Sequence, residues 1–104
     1  MGAKKSSLSG GGAYEIRTYS KRKAEKLGVT IRPSSKPGKK IDVFDKKGNL
    51  LASIGAIGYK DYPTFYKFDG AAVAEHRRRL YKLRHEKDRH RVGSPGYYAD
   101  QILW

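Results

Sequence analysis

The sequence predicts an α+β fold: a small antiparallel sheet with a central hairpin, packed by one basic helix and a short C-terminal helix. Three observations predict it. Residues 41–54 alternate apolar and polar side chains on either side of Lys46-Lys-Gly-Asn49, residues 69–91 carry a helical period through a strongly basic stretch, and Ser94-Pro95 opens a short apolar segment ending at Trp104.

In chain order, residues 1–12 are rich in Gly and Ser, carry two lysines and hold almost nothing to bury, so they read as a flexible tail. Residues 13–104 read as a single compact domain. Tyr14, Ile16 and Thr18 alternate as a strand would, and residues 20–27 then read as a short helix ended by Gly28. Residues 29–32 are rich in β-branched side chains and stopped by Pro33, a short strand, and residues 34–40 form a loop.

In the hairpin, Ile41 and Val43 on one arm match Leu50, Ala52 and Ile54 on the other. Asp45 can start the turn by bonding its own backbone, and Gly48 supplies the positive φ that closes it, with Asn49 able to do the same one residue later. Next, Gly55 and Gly58 precede a crowd of aromatics: Tyr59, Tyr62, Phe65, Tyr66 and Phe68. Two uses stay open for them. Tyr62, Phe65 and Phe68 can roof the hairpin and fill the small core, or the rings beside Lys60 and Lys67 can stack on bases or sugars.

Asp69 suits the N-cap of the main helix. At 100° per residue, Ala72, Val73, His76, Leu80 and Leu83 fall within about 100° of one another, the width of a core-facing stripe. Glu75 with Arg79 and Lys82 with Glu86 are i,i+4 pairs that can neutralise each other on one flank. On the other flank gather Arg77, Arg78, Tyr81, Arg84 and His85, with Asp88 as the only nearby acid. The pattern breaks at Val92-Gly93. Ser94 then supplies an N-cap, Pro95 a first helical position, and Tyr97, Tyr98, Ile102, Leu103 and Trp104 a mostly apolar short helix. It is suited to fold back on the sheet or main helix, or to dock a partner.

The charge balance bears on function. Lys and Arg number 23 against 10 acids in 104 residues, a formal charge of +13, and so small a domain repels itself unless an anion is near. Nucleic acid is the first partner to expect, with DNA favoured and contacts mainly to the phosphate backbone, and an anionic membrane surface or acidic proteins are the second. The candidate contacts are Arg77, Arg78, Tyr81, Arg84 and His85 on the main helix, with Lys21, Arg22, Lys23 and Lys26 as a second basic surface answered only by Glu25. Reversing the charge of Arg77 and Arg84 is expected to abolish binding.

Catalysis finds little support. With no cysteine there is no disulfide, thiolate nucleophile or sulfur-ligated zinc site. His85 and His90 are five apart and project about 140° from each other on a helix, whereas a shared zinc needs an i,i+4 pair. His76 lies on the apolar stripe, where a hydrogen-bonded core histidine is expected. A magnesium-dependent nuclease would need Glu86, Asp88 and His90 to join Asp61 or Asp100, but ion pairs with nearby arginines explain those acids more simply. No catalytic residue, metal or cofactor is expected. No apolar run approaches the roughly 20 residues that cross a bilayer, and a signal peptide's apolar core is missing, so an intracellular or virion-interior protein is expected rather than a secreted one.

Three blocks, Ser53-Ile-Gly-Ala-Ile-Gly-Tyr-Lys-Asp-Tyr-Pro-Thr-Phe65, Arg77-Arg-Arg-Leu-Tyr-Lys-Leu-Arg-His-Glu-Lys-Asp88 and Gly93-Ser-Pro-Gly-Tyr-Tyr-Ala-Asp-Gln-Ile-Leu-Trp104, carry a resemblance. Over residues 40–104 the chain resembles an uncharacterised family of small basic proteins of large double-stranded DNA viruses and some phages. The resemblance implies a viral setting, with a place in the virion as one option, and assigns no catalytic residues. A structural virion protein held to acidic partners is therefore the alternative to nucleic-acid binding, and the metal-dependent nuclease is third.

Overall fold

A computed structural model describes residues 14–104 of the chain, so the N-terminal tail expected over residues 1–12 lies outside the described residues. The elements run α1 (Thr18–Leu27), β1 (Thr30–Pro33), β2 (Lys39–Phe44), β3 (Leu50–Ala56), α2 (Tyr62–Asp69), α3 (Ala71–Arg84) and α4 (Pro95–Leu103). The strands form one antiparallel sheet in the order β1-β2-β3, with Ile31 opposite Val43 and Ile41 opposite Ile54. Pro33 ends an edge strand, where its missing N–H costs no ladder bond.

The β2–β3 hairpin forms as its pattern dictates. The Gly48 N–H donates to the Asp45 carbonyl at 3.0 Å, Gly48 has φ +90°, and the Asp45 carboxylate accepts from the Lys47 and Asn49 backbone N–H groups, each at 2.9 Å. Ile41, Val43, Ala52 and Ile54 form the core with Ala24 of α1 and Ile102 and Leu103 of α4. Asp42, on the central strand, is buried but satisfied: Ser34 Oγ donates to it at 2.6 Å and Ser53 Oγ at 2.7 Å. At Gly55 a Cβ would lie 2.8 Å from Leu103 Cδ1 and 2.9 Å from Lys40 Cδ, and φ is +79°, so the approach of α4 to β3 requires glycine.

The structure corrects four local expectations. Tyr14 and Ile16 are not in a strand. Their alternation reflects two inward anchors, since Ile16 packs against the core and the Tyr14 hydroxyl donates to Asp61 Oδ2 at 2.5 Å. The aromatic segment becomes helix α2, and its rings do not roof the hairpin together: Tyr62 is buried, Phe65 half-buried, and Tyr66 and Phe68 are 54% and 62% exposed. Asp69 ends α2 and accepts a hydrogen bond from Lys60 Nζ at 2.6 Å, leaving Gly70 at the N-cap of α3.

The fourth correction is the largest. Ala72, Val73, His76, Leu80 and Leu83 are all exposed, while Ala74, Arg78, Tyr81, Lys82 and His85 turn inward, so α3 sits about half a turn from the orientation its aliphatic stripe predicts. The cause is aromatic area and non-local pairing. Tyr81 stacks on Trp104 with centroids 4.4 Å apart and planes within 9°, and Lys82 Nζ donates to buried Asp100 at 2.8 Å. The expected Glu75/Arg79 and Lys82/Glu86 pairs give way to Glu75 with Arg78, and to Glu86 with Arg89 and His90. The C-terminal helix folds as predicted, with Ser94 Oγ accepting from the Tyr97 N–H at 3.1 Å. No helix among the described residues is long and apolar enough to cross a membrane.

Candidate functional site

A groove of about 670 Å³ lies between α1 and α2 with one residue of α3 at its end. Helix α1 contributes Tyr19, Arg22, Lys23 and Lys26, the residue before it Arg17, α2 contributes Tyr62, Tyr66 and Lys67, and α3 contributes Arg78. These are six cations and three tyrosines, and no carboxylate lines the groove. Arg17 and Arg78 are tied to Glu15 and Glu75 at its margins; Arg22, Lys23, Lys26 and Lys67 pair with no carboxylate among the described residues. Residues 1–13 contain no Asp or Glu that could neutralise them.

The tyrosines are the framework that holds these charges. The Arg78 guanidinium lies over the Tyr62 ring at 4.1 Å, and the Tyr62 hydroxyl donates to Glu75 at 2.9 Å. Tyr19 packs on Tyr62 with centroids 5.0 Å apart, and its hydroxyl donates to the Trp104 carbonyl at 3.0 Å while accepting from Lys23 Nζ at 3.3 Å. Burial and then the nearby Arg78 charge hold the Lys23 ammonium below the usual lysine range. An anion in the groove would relieve that second cause.

The start of α2 is pinned by a buried polar knot. Asp61 Oδ1 accepts from the Thr64 N–H and hydroxyl at 3.1 and 2.6 Å, and Oδ2 accepts from Tyr14 and from Lys40 Nζ at 2.9 Å. Lys40 Nζ also donates to the Tyr59 carbonyl. Burial raises the Asp61 pKa, but the bonds from Thr64, Tyr14 and Lys40 outweigh it and hold the carboxyl below the usual range.

A second groove, of about 650 Å³, runs along the other side of α3, lined by Lys60, Phe65, Arg77, Arg84, His85 and Trp104 over the Tyr81 ring. Arg77 lies 5.5 Å from the Phe65 ring centroid, Arg84 5.9 Å from that of Tyr81, and His85 packs on Tyr81 at 4.3 Å. Burial and then the Asp100 charge push the Tyr81 hydroxyl up to about 12, and the ring serves as a packing platform.

The nine sequence-predicted contacts therefore divide. Arg22, Lys23, Lys26 and Arg78 converge on the first groove, Arg77, Tyr81, Arg84 and His85 on the second, and Lys21 lines neither. Arg17, Lys67 and Tyr66 also belong to the first groove: Arg17 falls in the stretch whose alternation suggests a strand, and Tyr66 and Lys67 join the α1 cations only because their segment is a helix. Asp61 as N-cap with Pro63 in the first turn is the signal that would have found it.

Three of the four acids considered for magnesium are otherwise engaged: Asp61 in its knot, Asp100 with Lys82, and Glu86 with Arg89 and His90. Among the described residues, no three His, Asp or Glu side chains gather as a metal site would require. Comparison with known proteins gave no match: no family model, no curated protein and no solved structure aligns with the chain.

Proposed function

We propose that this protein binds nucleic acid, chiefly through the phosphate backbone and with little sequence specificity, at the groove between α1 and α2. The observation that carries the reading is the lining itself: six cations, four of them without a carboxylate partner among the described residues, and no acid between them. A linear polyanion satisfies such a row better than isolated surface acids do. Tyr66, more than half exposed, adds a ring on which an unpaired base can stack. The resemblance to proteins of large DNA viruses belongs to the same proposal: the ligand is a viral nucleic acid, DNA first, in an infected cell or virion, and the role is binding rather than catalysis.

The test is fluorescence anisotropy of labelled single-stranded and duplex DNA and RNA. If the four unpaired cations each neutralise one phosphate, the slope of log affinity against log salt is about −3 on single strands and −3.6 on duplex. Affinity then falls about 50- to 150-fold between 50 and 200 mM salt. Arg22→Glu with Lys26→Glu should about halve that slope and weaken binding at least tenfold. No binding at low salt, or an unchanged slope in the variant, would refute the assignment.

A further inference from the structure

The outward face of α3 is an unpartnered helix seam. Val73, His76, Leu80 and Leu83 follow one another at spacings of three, four and three, the a and d positions of two heptads, and Val73, Leu80 and Leu83 are 39%, 38% and 69% exposed. The residues flanking such a seam decide what packs on it. Arg77 and Arg84 stand at e positions and Arg79 at a g position, and none of the three pairs with a carboxylate among the described residues.

A second copy of this chain is disfavoured by those charges. A parallel pair of α3 helices sets Arg79 of one against Arg84 of the other, and an antiparallel pair sets arginine against arginine along both flanks. The chain's own residues 1–13 are unsuited too, with two lysines, no acid and only Met1 and Leu8 as sizeable apolar side chains. We infer that this face docks an acidic amphipathic helix of a partner protein, with apolar side chains on the Val73–Leu83 seam and carboxylates against Arg77, Arg79 and Arg84. Helix α3 has 14 residues, about 21 Å at 1.5 Å per residue, which accommodates a partner segment of two heptads. This inference does not rest on the nucleic-acid reading.

The probe is a labelled synthetic peptide of three heptads with Leu at a and d, Glu at e and g, and neutral residues elsewhere, titrated into the full-length protein at about 150 mM salt. A control peptide has the same composition with its leucines moved off the seam. The expected result is one-to-one binding in the micromolar range, at least about tenfold weaker for the control. Leu80→Ser with Leu83→Ser should weaken the peptide at least tenfold and leave oligonucleotide affinity unchanged, whereas Arg22→Glu with Lys26→Glu should do the reverse. If the double leucine variant lowers the melting temperature, Leu83→Ser alone, at the most exposed of the three apolar positions, decides. Equal binding of the control peptide, indifference to the leucine substitutions, loss of oligonucleotide affinity with them, or self-association of the protein through this face in sedimentation velocity would each overturn the inference.

Discussion

Replacing Asp61 by Asn should cost the fold far more than the loss of one surface charge, and the reason lies in who shares its second oxygen. Tyr14 and Lys40 both donate to Oδ2, and Lys40 and Asp61 side chains are only 6% and 1% exposed. Asparagine remains a good N-cap and can still accept from Thr64 through Oδ1. Its Nδ2, however, places a donor against two donors and leaves the Lys40 ammonium buried without a counter-charge. Breaking a buried pair in this way costs about 3–5 kcal/mol. At about 4 °C or more per kcal/mol for a domain of this size, the melting temperature should fall by at least 12 °C.

Urea unfolding followed by circular dichroism, on Asp61→Asn, Lys40→Met and the double variant, separates the causes. If the uncompensated ammonium dominates, the double variant is more stable than the sum of its parts by about 0.5–3 kcal/mol. Strict additivity, or a loss below about 1 kcal/mol in the single variant, would show that the knot does not hold α2 as argued. Because α2 carries Tyr62, Tyr66 and Lys67 to the groove, Asp61→Asn should also weaken oligonucleotide binding near its lowered melting point.

Stability should depend on pH at both ends. Asp61 and Asp42 have folded pKa values depressed below their unfolded ones, so their contribution is complete above the unfolded pKa near 4 and is lost as pH falls through the lower folded values. Urea midpoints should be flat from about pH 7 to 5 and drop steeply below about 4. Tyr81 and Tyr14 have raised pKa values, so their contribution is complete below about pH 10 and is lost as pH rises toward 12. Tyr19 and Tyr62 are raised as well, so tyrosinate absorbance should show late-titrating groups that appear with unfolding. Gly55→Ala should destabilise by about 1–3 kcal/mol, since the new methyl meets Leu103 in a backbone conformation that disfavours a side chain; an unchanged urea midpoint would count against the close approach of α4 to β3.

The hairpin and α4 were legible because their signals are local: alternation with a turn sequence in one case, Ser94-Pro95 with an apolar tail in the other. Helix α2 was hidden by its composition, since a run of aromatics does not look helical, although Asp61 and Pro63 carry the same capping logic as Ser94 and Pro95. The orientation of α3 was illegible for a different reason. Counting apolar residues favours the stripe through Leu80 and Leu83, whereas the fold is decided by the Tyr81–Trp104 stack and the Lys82–Asp100 pair, whose partners lie far along the chain. The site was legible as residue types but not as a place: Arg22, Lys23 and Lys26 were visible as a cluster, and nothing local to Arg78 says that it ends at Tyr62.

That half-turn has a consequence for the three consecutive arginines. Successive residues on a helix diverge by about 100°, so Arg77, Arg78 and Arg79 cannot share a face. With Tyr81 turned inward, Arg78 is carried to the first groove, Arg77 to the second, and Arg79 to the far side of the leucine seam. Had the aliphatic stripe faced the core, Arg78 would have pointed away from α1 and its lysines, and the row of cations at the first groove would have lost the one contributed by α3. The packing of one tyrosine on one tryptophan thus sets which basic side chains can act together, and the exposed leucines follow from the same rotation. If Trp104→Ala relaxes α3, the groove and the seam should change together: oligonucleotide affinity and acidic-peptide affinity would fall in the same variant, although each is insensitive to mutations in the other's contact residues.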